Sequence, residues 1–160
     1  MTGSATAPKG AREGRSVVVA GIGSEYRRDD GAGPAVARQA ADLPGVVDVG
    51  PAVDPLDLLG RWDDADLAVV VDAIRSGAPP GTVRVVDLDE AVPAPALSTH
   101  GLGLADVLRL ARTVGRAPRR VVVIGIEGED FGRGEGLSDE VAAAVPEAVR
   151  AVVSLVEEAR

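Results

Sequence analysis

The sequence predicts an α/β fold: a three-layer sandwich with a mostly parallel, roughly five-stranded central sheet flanked by helices. Two observations predict it. Short apolar runs rich in Val, Ala and Ile recur along the chain and alternate with segments of helical periodicity. Turns rich in Gly, Pro and Asp separate these segments, as is typical of strand–helix alternation. Because ligands of such sheets bind beyond the carboxyl ends of the strands, we expect the functional residues there.

Each predicted element follows from a local pattern. Apolar runs assign strands to residues 16–22, 46–49, 67–71, 82–86 and 120–126. Helical spacing and capping residues assign helices to residues 34–41, 55–59, 102–113 and the stretch after Ser138. Asp54 and Ser138 are expected to cap the second and last of these helices. The third strand is expected to end at Asp72, which would place this acid at a strand tip.

Length and composition predict a single domain over residues 15–160, preceded by a flexible lead-in over residues 1–14. Hydrophobic residues make up 46% of the chain, too many for a compositionally disordered protein. The only aromatic residues are Tyr26, Trp62 and Phe131, so the core has to be built from aliphatic side chains.

Composition also excludes several classes of function. The chain has no cysteine, which excludes disulfides, thiolate metal sites and a Cys nucleophile. Its net charge of −8 opposes binding to nucleic acid phosphates. No run approaches the ~20 apolar residues that span a bilayer, and the N-terminus lacks the pattern of a signal peptide. We therefore expect a cytoplasmic protein that binds neither nucleic acid nor membrane.

The loop after the first strand, residues 21–33, allows three interpretations. Its Gly-x-Gly start is typical of dinucleotide-binding folds, but the third glycine of that motif would fall at Tyr26. The pair Asp29 and Asp30 would repel a pyrophosphate and is more typical of a cation site. A solvated loop with an acidic helix cap is the third interpretation. For a nucleotide-binding module, Asp48 is the nearest ribose-binding acid.

Asp72 and His100, the only histidine, also follow predicted strands. With Asp30 they would supply two carboxylates and one imidazole, a set that suits nickel or zinc with open positions. A turn-capping Asp72 and a structural His100 remain the alternatives. A serine nucleophile would have to be Ser76 or Ser98, but no Gly-x-Ser-x-Gly motif surrounds either. A His-Glu-x-x-His motif is also absent.

Four stretches together carry a family resemblance: residues 21–33, 70–82, 98–106 and 123–138. They resemble, in order and separation, the hydrogenase maturation endopeptidases, which trim a C-terminal extension from the large subunit of nickel–iron hydrogenases. The resemblance implies that residues 15–160 form one domain of this kind. It implies a metal-dependent peptidase whose partner is the hydrogenase precursor, and we expect a monomer.

The resemblance also implies the site residues. The matching metal contacts are Asp30, Asp72 and His100, and the nickel is supplied by the precursor, with Zn²⁺ or Cd²⁺ as substitutes in vitro. The general base is left open between Asp30 and Asp72. Departures from the family's pattern at Ser24, residues 25–27 and residues 127–134 are expected to affect substrate choice.

Other acidic residues receive lesser roles. We expect Asp29 to cap a loop and Asp106 to have a structural or capping role. Glu127 and Glu129 are expected to lie in a solvated loop, with contact to the substrate as the alternative. Two rival functions stay open: a nucleotide-binding Rossmann-like module, and a maturation chaperone that binds the precursor without cleaving it.

Overall fold

The computed structural model describes residues 16–88 and 103–160, and the fold is stated for these residues. They form a five-stranded sheet in the order β2-β1-β3-β5-β4. The strands are β1 (Val17–Ile22), β2 (Val46–Asp48), β3 (Leu67–Ile74), β4 (Val83–Asp87) and β5 (Val121–Glu127). All neighbouring pairs are parallel except β4 and β5, which are antiparallel. The predicted mostly parallel, five-stranded α/β fold is therefore confirmed.

The three central strands are buried along their whole length and pack on both faces. Side chains alternate between the faces of a strand, so consecutive apolar residues supply two separate cores. In β1, Val17 and Val19 face one core, and Val18 and Ala20 face the other. This is why the strands read as continuous apolar runs in the sequence.

The helices cover both faces of the sheet. They are α1 (Ala32–Ala40), α2 (Leu104–Thr113) and α3 (Asp139–Glu158), with short 3-10 helices at Arg28–Gly31 and Pro55–Leu58. Apolar residues of α1 and α3 belong to one core, and those of α2 and the second 3-10 helix belong to the other. None of the helices in the described ranges is long and apolar enough to cross a membrane.

The structure corrects several predicted boundaries. β3 runs through Asp72 to Ile74, because Asp72 pairs with Ile22 of β1 on one side and Gly125 of β5 on the other. The predicted second helix is only a 3-10 turn, with the expected Asp54 cap: its carboxylate accepts the N–H of Leu56. Ser138 occupies the N-cap position of α3, but its hydroxyl does not bond to that helix. The predicted lead-in, residues 1–14, lies outside the described residues.

Candidate functional site

Asp30 lies in the 3-10 helix between β1 and α1 and is 1% exposed. One carboxylate oxygen, Oδ2, accepts the N–H of Ser24 at 2.8 Å. The backbone of Gly23 passes so close that an added Cβ would collide with the carbonyl oxygen of Asp30 and lie 3.2 Å from its carboxyl carbon. Glycine at position 23 is therefore required for Asp30 to sit against the end of β1.

Asp72 reaches the same edge of the sheet from β3 and is 3% exposed. Its register partner is Ile22, the residue before Gly23. Asp30 packs on Gly23, so the two carboxylates come from adjacent elements at the carboxyl end of β1. The structure thus brings Asp30 and Asp72 to one place, although Asp72 lies inside its strand and not at its tip.

His100, the third predicted ligand, falls in residues 89–102, outside the described residues. Within residues 16–88 and 103–160, no three His, Cys, Asp or Glu side chains are grouped to hold a metal ion. The described part of the chain therefore contributes two acids. Carboxylate oxygens of this kind can bind a divalent cation whose other ligands come from elsewhere.

Asp29 has a different task from its neighbour Asp30. Its Oδ2 accepts the N–H groups of Glu129 and Asp130 and the hydroxyl of Ser138, and its Oδ1 accepts the N–H of Ser138. Burial raises the pKa of Asp29, but these four bonds outweigh it and hold the pKa below the ordinary value. Asp29 therefore holds a loop, the role expected from the sequence.

That loop, residues 128–138, packs against the site. Its backbone pairs with the start of the first 3-10 helix: Arg28 N–H donates to Gly134 O at 2.9 Å, and Asp29 N–H donates to Asp130 O at 2.8 Å. In the opposite direction, Gly134 N–H donates a hydrogen bond to Tyr26 O. The loop is largely exposed, as its sequence predicts, but its backbone is hydrogen-bonded to residues 26–29.

Glu127 also corrects a prediction, because it ends β5 and is buried. Its carboxylate accepts the N–H of Ser76 at 2.8 Å, the N–H of Gly77 at 3.0 Å and the hydroxyl of Ser76 at 2.7 Å. Glu127 thereby fixes the turn after β3. Glu129 is exposed, as expected, and repulsion from Glu140 raises its pKa.

These contacts also bear on the rival interpretations. The hydroxyl of Ser76 donates to Glu127, whose carboxylate also accepts the N–H groups of Ser76 and Gly77, so these contacts hold a turn; Ser98 lies outside the described residues. Asp48 accepts the N–H of Gly50 and so closes a turn. Two buried aspartates, at positions 29 and 30, precede α1, where a dinucleotide-binding fold would place a phosphate.

Asp106 lies in the first turn of α2, 3.8 Å from Arg109, consistent with a structural role.

Sequence reasoning missed two features of the site. One is the set of hydrogen bonds made by Glu127. Extending the predicted fifth strand by one residue would have placed Glu127 at the end of a buried strand, where an acid needs hydrogen-bond partners. The other is the contact between Arg75 and Phe131, in which the guanidinium carbon lies 4.2 Å from the ring centroid. No sequence pattern indicates that contact, because it joins two distant loops.

The mostly parallel α/β sheet presents two buried carboxylates at its carboxyl edge, where proteins of this fold class bind their ligands. Comparison with known proteins specifies the family. The model of the HycI hydrogenase maturation protease family matches residues 38–155. The chain is 35% identical over 142 residues to the hydrogenase expression/formation protein HoxM of Cupriavidus necator, covering 83% of this chain and 70% of that protein.

Two further comparisons agree. The hydrogenase 2 maturation protease of Escherichia coli is 31% identical over 150 residues, which are 89% of this chain and 91% of that protein. The solved structure of the Escherichia coli hydrogenase-maturating endopeptidase HybD superposes with a TM-score of 0.77 at 28% identity, covering 89% of this chain and 93% of that one.

The chain therefore belongs to the hydrogenase maturation protease family. It is a hydrolase, an endopeptidase of the kind that processes the carboxyl terminus of a hydrogenase large subunit. This confirms the family resemblance and the enzyme class predicted from the sequence.

Proposed function

We propose that the enzyme recognises nickel in the hydrogenase precursor through Asp30, Asp72 and His100, and then removes the C-terminal extension. The observation that supports this most is the convergence of Asp30 and Asp72, both buried, at the carboxyl edge of the sheet. Carboxylate oxygens are ligands that divalent cations accept, and a divalent ion carried by the substrate would be bound there at the moment of recognition.

The donor set fits this use. Two carboxylates and one imidazole bind a borderline divalent ion and leave positions for ligands that the precursor itself provides. A metal at the site can polarise a scissile carbonyl and acidify a water molecule. Asp30 and Asp72 both remain candidates for the general base, and the pH dependence of cleavage in single Asp→Asn variants would assign that role.

The experiment compares nickel-loaded and nickel-free precursor as substrates, with the released peptide detected by mass spectrometry. The wild-type enzyme should cleave only the nickel-loaded form. Asp30→Asn, Asp72→Asn and His100→Ala should each reduce kcat/KM by about 100-fold, the upper end of the range found for residues that support metal ligands. Asp42→Asn, which changes an exposed acid at the end of α1, is the matched control and should cleave normally.

Other results would change the interpretation. Equal cleavage of nickel-free precursor would refute nickel recognition and leave the peptidase assignment in place. Binding of the precursor with an intact C-terminus would favour the non-catalytic chaperone. Calorimetric titration of the isolated enzyme with Ni²⁺, and with Zn²⁺ or Cd²⁺ as substitutes, would show whether it retains metal before the precursor arrives.

We also propose that the enzyme acts as a monomer in the cytoplasm. The support is compositional: the sequence has no cysteine and a net charge of −8, which keeps chains apart in solution. Light scattering on the purified protein and fractionation of the producing cell test these two statements separately.

A further inference from the structure

Two guanidinium groups converge on Phe131 in the 128–138 loop. The guanidinium carbon of Arg75 lies 4.2 Å from the centroid of the Phe131 ring. The Nη2 of Arg27 donates to the carbonyl oxygen of the same residue at 3.5 Å. Arg27 and Arg75 are both exposed, whereas Phe131 is buried between the loop and the sheet. One aromatic residue therefore holds two cationic side chains at the rim of the site.

The two arginines lie close to the acidic pair in the sequence. Arg27 precedes Asp30 by three positions, and Arg75 follows Asp72 by three positions. Their backbones are fixed independently: Arg27 N–H donates to Ser24 O, and the turn after Arg75 is held by the Glu127 carboxylate. The guanidinium groups are therefore presented by ordered segments on two sides of the same edge of the sheet.

Neither arginine forms an ion pair with a carboxylate in the described part of the chain. Other arginines there do: Arg38, Arg109, Arg116, Arg119 and Arg120 each lie within 4.0 Å of an Asp or Glu oxygen. Three carboxylates of this region accept backbone N–H groups instead. Asp29 binds Glu129 and Asp130, Glu127 binds Ser76, and Oδ1 of Asp130 binds Gly132.

In the described part of the chain, both guanidinium groups are exposed and neither is neutralised by a carboxylate, so both remain available to an anionic partner. A guanidinium that stacks on a ring keeps the N–H groups along its edge available, and these match the two oxygens of a carboxylate. The substrate of the enzyme is a polypeptide, in which the anionic group is a carboxylate.

We propose that Arg27 and Arg75 form an anion-binding subsite that takes a carboxylate from the C-terminal segment of the precursor. The inference rests on the proposed function, because it places this segment beside the Asp30 and Asp72 edge. The subsite would orient the segment across the nickel-recognising site and set which precursors are processed.

Binding and cleavage are measured separately to test this. A fluorescent peptide that spans the precursor's C-terminal segment is titrated with enzyme, and polarisation gives its Kd. Arg27→Gln, Arg75→Gln and the double variant are compared with Arg150→Gln, which changes an exposed arginine of α3 roughly 18 Å along the helix from Ser138. We expect the double variant to bind about tenfold or more weakly, and Arg150→Gln to bind like the wild type.

Two modified peptides identify the carboxylate. An amidated C-terminus removes the terminal charge, and Asp/Glu→Asn/Gln changes remove the side-chain charges. The form that lacks the recognised carboxylate should bind weakly to the wild type, and the double variant should weaken its binding little further. With the nickel-loaded precursor, the double variant should raise KM while kcat changes little.

The outcomes separate the subsite from the proposed function. If the wild-type enzyme binds the peptide and the double variant binds it equally well, the subsite is refuted, whatever the cleavage result. If neither modified peptide binds less well than the unmodified one, the subsite is refuted as well. If the double variant loses binding but the wild type cleaves nickel-free precursor equally, the subsite stands and nickel recognition fails.

Discussion

Asp29 and Ser138 are 109 positions apart, yet the Asp29 carboxylate accepts both the N–H of Ser138 at 2.7 Å and its hydroxyl at 2.9 Å. Two more N–H groups, of Glu129 and Asp130, donate to the same carboxylate. One buried side chain thus ties both ends of the 128–138 loop to the 3-10 helix that carries Asp30. The position of Asp30 therefore depends on a residue with no predicted contact to metal.

Asp29→Asn should destabilise the protein although it preserves the shape of the side chain. An amide has one oxygen, so in either orientation its NH₂ group faces at least one backbone N–H that donates to the carboxylate in the wild type. A buried donor left without an acceptor costs about 1–3 kcal/mol, and we expect a loss of that size in urea unfolding.

Ser138→Ala is the matched control for this change. It removes only the hydroxyl bond to Asp29 and leaves three donors in place, so we expect a loss of about 1 kcal/mol. If Asp29→Asn were as stable as the wild type, the four bonds would not be a significant source of stability.

The stability of the loop should also depend on pH. The pKa of Asp29 lies below its ordinary value of 3.8, so in acid the unfolded chain takes up the proton before the folded one does. This contribution to stability is complete above pH 3.8 and is lost as the pH falls through the folded pKa. The stability gap between the wild type and Asp29→Asn should therefore narrow below pH 3.8 in denaturation series at several pH values.

A gap that stays constant from neutral to acidic pH would contradict this explanation. The raised pKa of Glu129 acts in the opposite direction, because its ionised form is repelled by Glu140. Its stabilising effect exists at low pH and is lost as the pH rises through the folded pKa. Glu129→Gln is therefore introduced into both the wild type and Asp29→Asn, because the Asp29 charge also contributes to the raised pKa of Glu129.

The sequence predicted the sheet well because the strands are local patterns. Apolar runs that are buried on both faces are recognisable without knowledge of their neighbours, and the predicted start of β1 differs from the observed start by one residue. The antiparallel direction of β4 could not be predicted, because strand order depends on contacts across the whole chain. The end of β3 beyond Asp72 depends on such contacts too.

The candidate site, too, could be predicted from the sequence only in part. Asp30 and Asp72 could be selected because acids beside glycines and buried strands are visible in the sequence. The loop-capping role of Asp29 was predicted, but its partners and the role of Glu127 could not be, since their donors lie 50 to 109 positions away. Residues 128–138 are predicted to be a solvated loop because they are rich in glycine and acids. The hydrogen bonds of this loop to residues 26–29 could not be predicted, because they join segments far apart in the sequence.

Glu127→Gln should be tolerated, in contrast to Asp29→Asn. Oε1 of Glu127 accepts both N–H bonds, from Ser76 and Gly77, and Oε2 accepts only the Ser76 hydroxyl. A glutamine can keep its oxygen on the N–H groups and donate its NH₂ group to the hydroxyl oxygen, which can reverse its role. We expect a loss of about 1 kcal/mol or less from the weaker neutral bonds.

Glu127→Ala is the control that removes every acceptor. It leaves two backbone donors without their partner and should cost about 2–4 kcal/mol in urea unfolding. A Gln variant as unstable as the Ala variant would show that the negative charge itself, and not the number of acceptors, holds the turn after β3.

For Gly33→Ala, helix propensity and packing predict opposite changes in the stability of the protein. Gly33 is inside α1, where helix propensity alone predicts that alanine stabilises the protein by about 1 kcal/mol. The structure predicts the reverse, because the new Cβ would collide with the carbonyl oxygen of Val71 and lie 2.6 Å from that of Ile22. Overpacking against backbone should cost about 1–3 kcal/mol. It should also move the 3-10 helix that carries Asp30, and so reduce cleavage of the nickel-loaded precursor.

The control for this change is Gly103→Ala at the N-cap of α2. That glycine has φ −64°, and its added Cβ would meet only an oxygen of Asp106 at 3.5 Å. We expect a change within about 1 kcal/mol and normal cleavage. Thermal or urea unfolding of both variants shows whether each substitution stabilises or destabilises the protein. A Gly33→Ala protein more stable than the wild type would mean that α1 can shift away from β1 and β3 at little cost, and that Asp30 is held less firmly than the contacts of Gly23 and Gly33 indicate.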